Sequence, residues 1–260
     1  MGLILDEKKE AENIIESGEV GKSPTSTIFL LAKYYKNVKK YKSPEIVEKL
    51  SEFMSTNYPG YIKSRWEDII EHNAKIPTKY KLLVFEDGIK ITKSEIDIVK
   101  NCGGIWYQKL LFVMLVYAKY SNFKSEKNNN NNWVNAEIPE LFKAARVTVK
   151  HRNDKFLMIN DLTEKGLIEL SNKNENLNMR VTFVENITPE SDIVLSITDG
   201  RELAYEYLQY IGHSQYVKCT ICERLVKKTN NKIMYCNECR QLVNLENKRD
   251  WDRENRKSEK

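Results

Sequence analysis

Four of the five cysteines in this chain fall near its end, as Cys219-Thr220-Ile221-Cys222 and Cys236-Asn237-Glu238-Cys239. Two residues inside each pair let backbone N–H groups turn toward the sulfurs while both thiolates face inward. The spacer of about thirteen residues between the pairs suits a tetrahedral zinc site. The chemistry expected of Cys219, Cys222, Cys236 and Cys239 is therefore a structural Zn²⁺ centre, because four protein ligands leave no position for water or substrate. Three other chemistries use the same residues less well. A redox dithiol needs one Cys-x-x-Cys at a strand-to-helix junction, and here there are two pairs without that setting. Disulfides need an oxidising compartment, yet the chain begins Met1-Gly2-Leu3-Ile4-Leu5-Asp6-Glu7, without the basic start and apolar run of a secretory signal. An iron–sulfur cluster takes four thiolates too, but the regular paired spacing favours zinc.

The residues that must position these sulfurs read as a small hairpin followed by a helix. Residues 224–228 and 232–235 flank Thr229-Asn230-Asn231, a turn tolerant of left-handed conformations. The second pair runs into residues 240–249, which have helical propensity and no breaker. Knuckle, hairpin and helix over residues 217–250 resemble the treble-clef type of zinc finger. A helix N-terminus beside four thiolates is electrostatically favourable.

Other catalytic signatures are missing from the sequence. It has no G-x-x-x-x-G-K-[ST] loop, dinucleotide fingerprint, G-x-S-x-G elbow or H-E-x-x-H. The three histidines, His72, His151 and His213, are scattered, and His213 reads as a linker residue beside a site that four cysteines already complete. Cys102 sits among apolar residues and reads as a small core or surface thiol. The expectation is a protein that is not an enzyme.

With 41% hydrophobic and 30% charged residues, the composition is that of a globular protein with a proper core. The richest apolar run, residues 110–116, is far short of the roughly 20 residues that cross a bilayer, so no membrane partner is expected. A cytoplasmic setting follows from the absent signal and reduced cysteines. The formal net charge of +5 overstates any general attraction to polyanions, since four thiolates around one Zn²⁺ add a charge near −2. Local basic patches are what remain.

Taken in order, the pattern predicts an α+β, mainly helical chain. Residues 1–80 read as a helical bundle, with start signals at Ser23-Pro24 and Ser43-Pro44. Residues 81–104 read as a hairpin turning at Asp87-Gly88 and a connecting helix capped by Thr92 or Ser94. Residues 105–186 give an apolar helix, the strand Trp133-Val134-Asn135, a short helix from Ile138-Pro139, a helix capped by Thr148, then two strands around a polar tip at 172–178. Residues 187–216 read as a linker with one strand and one helix, and residues 217–260 as the zinc finger with a charged C-terminal helix.

Residues 105–186 resemble a winged helix-turn-helix domain. Leu157-Met158-Ile159-Asn160-Asp161-Leu162-Thr163-Glu164-Lys165-Gly166-Leu167-Ile168-Glu169-Leu170 is like the third helix of such domains and the turn into the wing. That resemblance implies a major-groove position for Lys150, His151, Arg152 and Asn153, with Lys155 just beyond and Lys173 at the wing tip. Lysine and arginine suit phosphates or guanine edges, and asparagine pairs with adenine. Asp154, Asp161 and Glu164 dilute the positive field, and winged helices also dock on proteins. The zinc module adds Lys227, Lys228 and Arg240 as candidate phosphate contacts.

The whole pattern, with Leu30-Leu31-Ala32-Lys33-Tyr34-Tyr35, the winged-helix-like centre and Cys219 to Cys239 before a charged helix, resembles proteins from phages and mobile elements of AT-rich bacteria. That resemblance implies no established activity, but a setting in phage or host replication, transcription control or interference with a host system. The first expectation is a non-enzymatic zinc-containing DNA-binding protein acting in replication or transcription control, with the winged helix on duplex DNA and the zinc module adding phosphate contacts. The alternative is a protein-binding adaptor or inhibitor on a nucleic-acid machine such as a polymerase, helicase or defence nuclease, anchored by aromatics such as Trp66, Trp106, Trp133 or Tyr216.

Overall fold

The structure is a computed structural model that describes residues 2–76, 80–125, 131–171, 178–213 and 215–258, with the backbone alone for Arg152, Asp252 and residues 254–258. Among them are ten helices and three small sheets, an α+β chain in which helix dominates. Two compact units divide it, residues 4–86 and residues 87–260, Leu3 belonging with the second.

The first unit holds α1 (Glu7–Ser17), α2 (Pro24–Asn37), α3 (Ser43–Asn57) and α4 (Lys63–Ala74). Asp6 caps α1 by accepting from the Lys9 N–H at 2.8 Å, and Gly18 ends it at φ 70°. At α3 the Glu45 carboxylate takes the Lys42 N–H (2.7 Å), so this cap comes from the third helical residue and not from Ser43. The apolar faces share one core that includes Ile28, Leu31, Ile46, Leu50, Met54 and Ile70. Lys33 is buried in it and pairs with Glu7, which also accepts the Leu83 N–H at 2.7 Å.

The second unit opens with β1 (Ile89–Thr92) and α5 (Lys93–Asn101). Here the expected hairpin over residues 81–91 is corrected. Phe85 donates its N–H to the Leu5 carbonyl (3.0 Å), while β1 pairs antiparallel with β5 (Ile193–Ile197), Ile91 opposite Leu195. Gly88 (φ 72°) serves a close approach and not a hairpin turn, since a Cβ there would stand 2.5 Å from the Ile197 carbonyl oxygen. Alternating apolar residues specify a strand, but not its partner.

Thr92 does cap α5, and α6 (Ile105–Lys124) follows. Every residue from Lys109 to Ala118 in α6 is buried. Such a helix, apolar on all sides, must be surrounded. No helix among the described residues is long and apolar enough to cross a membrane. One side of α6 is covered by β2 (Trp133–Val134), α7 (Ile138–Ala144), α8 (Arg152–Glu164), β3 (Ile168–Leu170) and β4 (Met179–Val181). The strands form an antiparallel sheet in the order β2-β4-β3, with Val134 and Leu170 both opposite Met179. Val134, Ile168, Met179 and Val181 are buried, as are Leu141, Phe142, Ile159 and Leu162 from α7 and α8.

Between α7 and α8, Arg146 adopts φ 49°, and its carbonyl accepts from the buried Lys109 ammonium of α6 at 2.8 Å. α8 begins at Arg152, three residues later than a Thr148 cap requires, because the Asp154 carboxylate takes the His151 N–H (3.1 Å).

Residues 187–216 are no linker. α9 (Leu203–Tyr210) puts Tyr207, fully buried, against Phe112 of α6 with ring centroids 5.1 Å apart, and the Tyr207 hydroxyl donates to Gln108 at 2.9 Å. The Arg146 guanidinium bonds Glu202 (2.6 Å) and lies 4.2 Å from the Tyr205 ring. The Ile193 strand and the α9 pattern are legible in the sequence, but each is short and polar at its ends, which hides that both complete the core. Last come β6 (Tyr216–Lys218), β7 (Leu225–Lys227) and α10 (Asn237–Ser258).

If α9 is core, Tyr207→Ala should lower unfolding free energy by about 3–5 kcal/mol, the range for emptying a large aromatic site. Urea denaturation would measure it. A loss within about 0.5 kcal/mol, normal for exposed positions, would restore the linker reading.

Candidate metal centre

The first cysteine pair is held by a hairpin and the second by a helix start. β6 and β7 pair antiparallel, Val217 opposite Val226. The loop between them closes through Cys219 N–H to the Arg224 carbonyl (2.9 Å) and Glu223 N–H to the Cys219 carbonyl (2.9 Å), with Glu223 at φ 59°. This hairpin spans the first pair itself. The expected pairing of residues 224–228 with 232–235 is not formed, and Tyr216–Lys218 supplies the partner strand. Cys236 precedes α10 and Cys239 lies in its first turn, its N–H directed at the Cys236 Sγ at 3.4 Å. Thr220 N–H donates to the Met234 carbonyl (2.9 Å) and joins the two loops.

This brings the four Sγ atoms within 4.8 Å of one another. Cys222 and Cys236 are 3.7 Å apart at sulfur. A disulfide would need about 2.05 Å. Four sulfurs at about 2.3 Å from a tetrahedral ion are separated by roughly 3.8 Å, so the spacing suits a bound ion and not a cross-link. Cys219, Cys236 and Cys239 are buried, and Cys222 is half-buried.

The electrostatics agree with a cation in the middle. Burial pushes the Cys219 thiol up, but N–H groups of Cys222, Cys236 and Ile221 outweigh it and bring the thiol down to about 6. Cys222 is raised, by burial first, and Cys239 is raised strongly by burial and by its neighbouring sulfurs. One thiolate thus forms easily, while Cys222 and Cys239 resist ionising. A divalent ion removes that conflict, since coordination deprotonates thiols outright. Around the cluster, Arg224 pairs with Glu238 (2.9 Å), and its Nε is buried without a hydrogen-bond partner. Arg201, bound to Asp199, donates to the Cys222 carbonyl at 2.7 Å. Besides their carboxylate partners, both arginines would offset the negative charge of a four-thiolate centre. Neither was picked out from the sequence, where Arg201 lies outside the cysteine segment and Arg224 is one of several basic residues.

The other sequence-derived candidates fall into two groups. Lys150, His151 and Asn153 are exposed at the start of α8, and the Arg152 backbone opens that helix. Lys155 is half-buried, its ammonium 5.4 Å from the Phe142 ring, so it packs back on α7. Lys173 lies outside the described residues. In the metal-site module, Lys227 and Arg240 are exposed and Lys228 is half-buried. The lone Cys102 is buried, and burial pushes its thiol up to about 11. It is an inert core thiol.

Thiol counting separates these roles. At pH 7.5 the metal-loaded protein should show no fast-reacting thiol with a disulfide reagent, four after chelation, and a fifth, Cys102, only in denaturant. Elemental analysis should give one metal ion per chain. Bound sulfurs are thiolates, so protons compete with the metal, and retention at neutral pH should be lost as pH falls. Four fast thiols before any chelation would count against a metal centre.

No protein-family model, curated protein or solved structure matches this chain.

Proposed function

We propose that this chain is a non-enzymatic DNA-binding protein of the phage or mobile-element type, with a winged helix at residues 105–186 and a structural Zn²⁺ on Cys219, Cys222, Cys236 and Cys239. The observation that carries the reading is the order α6-β2-α7-α8-β3-β4 with the sheet β2-β4-β3, together with exposed Lys150, His151 and Asn153 at the start of α8. In a winged helix the third helix enters the major groove and its first residues meet base edges. The work of the named side chains follows from their chemistry. Lys150 and Arg152 neutralise phosphate or donate to guanine, and Asn153 offers the paired donor and acceptor that adenine presents. Leu157, a turn further on and 59% exposed, supplies an apolar contact of the kind a thymine methyl accepts. Tyr107 of α6 donates to Asp161, fixing α8 from its buried side and keeping that acidic group engaged.

A second reading, docking on a protein component of a replication or transcription machine, is favoured by one observation. Leu242, Leu245 and Trp251 on α10 are each more than half exposed, and large exposed apolar side chains commonly mark protein contacts. Trp66, Trp106, Trp133 and Tyr216 are poorer anchors on the whole, only Trp106 being mostly exposed.

Fluorescence anisotropy on a labelled 20-base-pair duplex across a salt series tests the DNA reading. Affinity should fall log-linearly with salt, by about 0.9 in slope per phosphate contact. Asn153→Ala should cost about 1–3 kcal/mol on the preferred sequence and relax discrimination at one base pair. Absence of duplex binding at moderate salt, with the metal bound and the fold intact by circular dichroism, would leave the docking reading in its place.

A further inference from the structure

Residues 20–44 contain six lysines and no acidic residue, in a chain whose 42 basic and 37 acidic side chains are elsewhere interleaved. The first unit places three of the six at one turn. Lys33 is consumed inside, paired with Glu7. Lys36, in the last turn of α2, donates to the Ile76 carbonyl at 2.5 Å and offsets the negative end of its helix. Lys39, Lys40 and Lys42, in the turn between α2 and α3, are exposed, and none of them enters an ion pair among the described residues.

The turn that presents them is built, not loose. Tyr41 donates its N–H to the Tyr35 carbonyl (3.1 Å), and its ring stacks on that of Tyr35, centroids 5.9 Å apart at 20°. Lys39 sits 5.8 Å from the Tyr34 ring. Lys40 holds a left-handed conformation, φ 60°, which a non-glycine residue adopts at some cost. The acidic residue that follows the turn in sequence, Glu45, is occupied by the Lys42 N–H.

We infer that this α2–α3 turn is a second nucleic-acid surface, one that grips the sugar-phosphate backbone without reading bases. The inference rests on the DNA-binding reading for its partner but not on α8 for its residues. Three point charges on flexible stems and no arginine suit phosphates in series more than a bidentate carboxylate. A membrane surface would call for apolar side chains to insert, and a protein interface for a buried aromatic or aliphatic anchor. Residues 38–44 expose no leucine, isoleucine, phenylalanine or tryptophan. A regular polyanion is the occupant that needs charge alone.

The test uses the full-length, metal-loaded protein and a fluorescein-labelled 20-base-pair duplex between about 50 and 400 mM salt, roughly one-third to nearly three times physiological ionic strength. Lys39→Gln/Lys40→Gln/Lys42→Gln should lower the slope of log affinity against log salt by about 2 to 3, weakening binding alike on every sequence. The single changes Lys40→Gln and Lys42→Gln, each less of a risk to folding, should each lower it by about 1. Lys150→Ala/Arg152→Ala serves as the contrasting variant. If that variant binds like the parent while the triple variant loses slope, the turn stands and the α8 reading falls. A parental slope in the triple variant and in both single variants overturns the inference, and so does absence of duplex binding by the parent. Cosedimentation with phosphatidylserine vesicles that the triple variant loses, at an unchanged DNA slope, overturns it in favour of a lipid surface.

Discussion

The second unit depends on a single constraint, a helix that is buried on every side. From Lys109 to Ala118 no residue of α6 faces water, and burial of that apolar surface is the main favourable term in folding the unit. It also dictates the architecture. One layer of neighbours would leave half of α6 wet, so β1 with α5, the α7–α8–sheet group, and α9 must each take a side. Two lysines on this helix set where those neighbours go. Lys109 reaches the Arg146 carbonyl at the α7–α8 turn, and burial holds its ammonium below the usual lysine range. Lys119 pairs with the fully buried Glu95 at 2.7 Å and donates to the Lys90 carbonyl at 3.0 Å. Glu95 in turn accepts the N–H groups of Thr92 (2.9 Å) and Glu185 (2.8 Å). Buried ion pairs are poor sources of net stability, because desolvation offsets their attraction. Their effect here is on register, since an apolar helix can slide and a helix with two buried, directed ammonium groups cannot.

The same chain of contacts reaches the metal centre. Arg146, whose carbonyl is fixed by Lys109, uses its guanidinium on Glu202 and Tyr205 at the start of α9. Tyr205 meets Tyr216 of β6 at 4.9 Å between centroids, and Arg201 holds the Cys222 carbonyl. The cysteine module has little apolar core of its own, with only Leu225, Cys219, Cys236 and Cys239 buried among its described residues. A segment that small needs a cross-link or a metal to specify one conformation. Metal and docking are therefore complementary. An ion held by the four sulfurs would organise residues 216–240 internally, and α9 gives the module a fixed seat.

What could be read from the sequence follows from how local each signal is. The cysteine cluster was fully legible, because ligand type and spacing are a local code with few alternative meanings. Helix positions were legible where caps and period agree, as at Thr92 or Gly18. Helix starts slipped where an acidic residue three positions inside takes the cap, as Glu45 and Asp154 do, since Ser43 and Thr148 look equally suitable in one dimension. Strand partners were not legible. The Ile89 strand has a neighbour in sequence at residues 81–85 and a true partner about a hundred residues away at Ile193–Ile197, and period two carries no address. For the same reason the hairpin at the metal site was assigned to the wrong flank of Cys222. The status of residues 187–216 is not legible because only a few side chains there, those of Ile197, Leu203, Ala204 and Tyr207, are buried, too few in so short a segment to tell a connecting helix from a core helix.

Net charge is the remaining quantity that a sequence sum misstates. A formal +5 describes no place on this molecule. Four thiolates around a divalent ion would contribute about −2 at one point, near Arg201 and Arg224. α10 alternates sign along its length, from Glu238 and Arg240 to Asp250 and Arg253, so its field largely cancels beyond its own surface. The screening length at physiological salt is about 8 Å, shorter than any of these elements. A partner therefore responds to local runs of one sign and not to the total. Two such runs among the described residues are the start of α8, where Asp154 is already taken by the His151 N–H, and the acid-free turn after α2. Both sit at positions where an acidic neighbour is engaged by backbone, which is how a nearly balanced chain can still present positive charge outward.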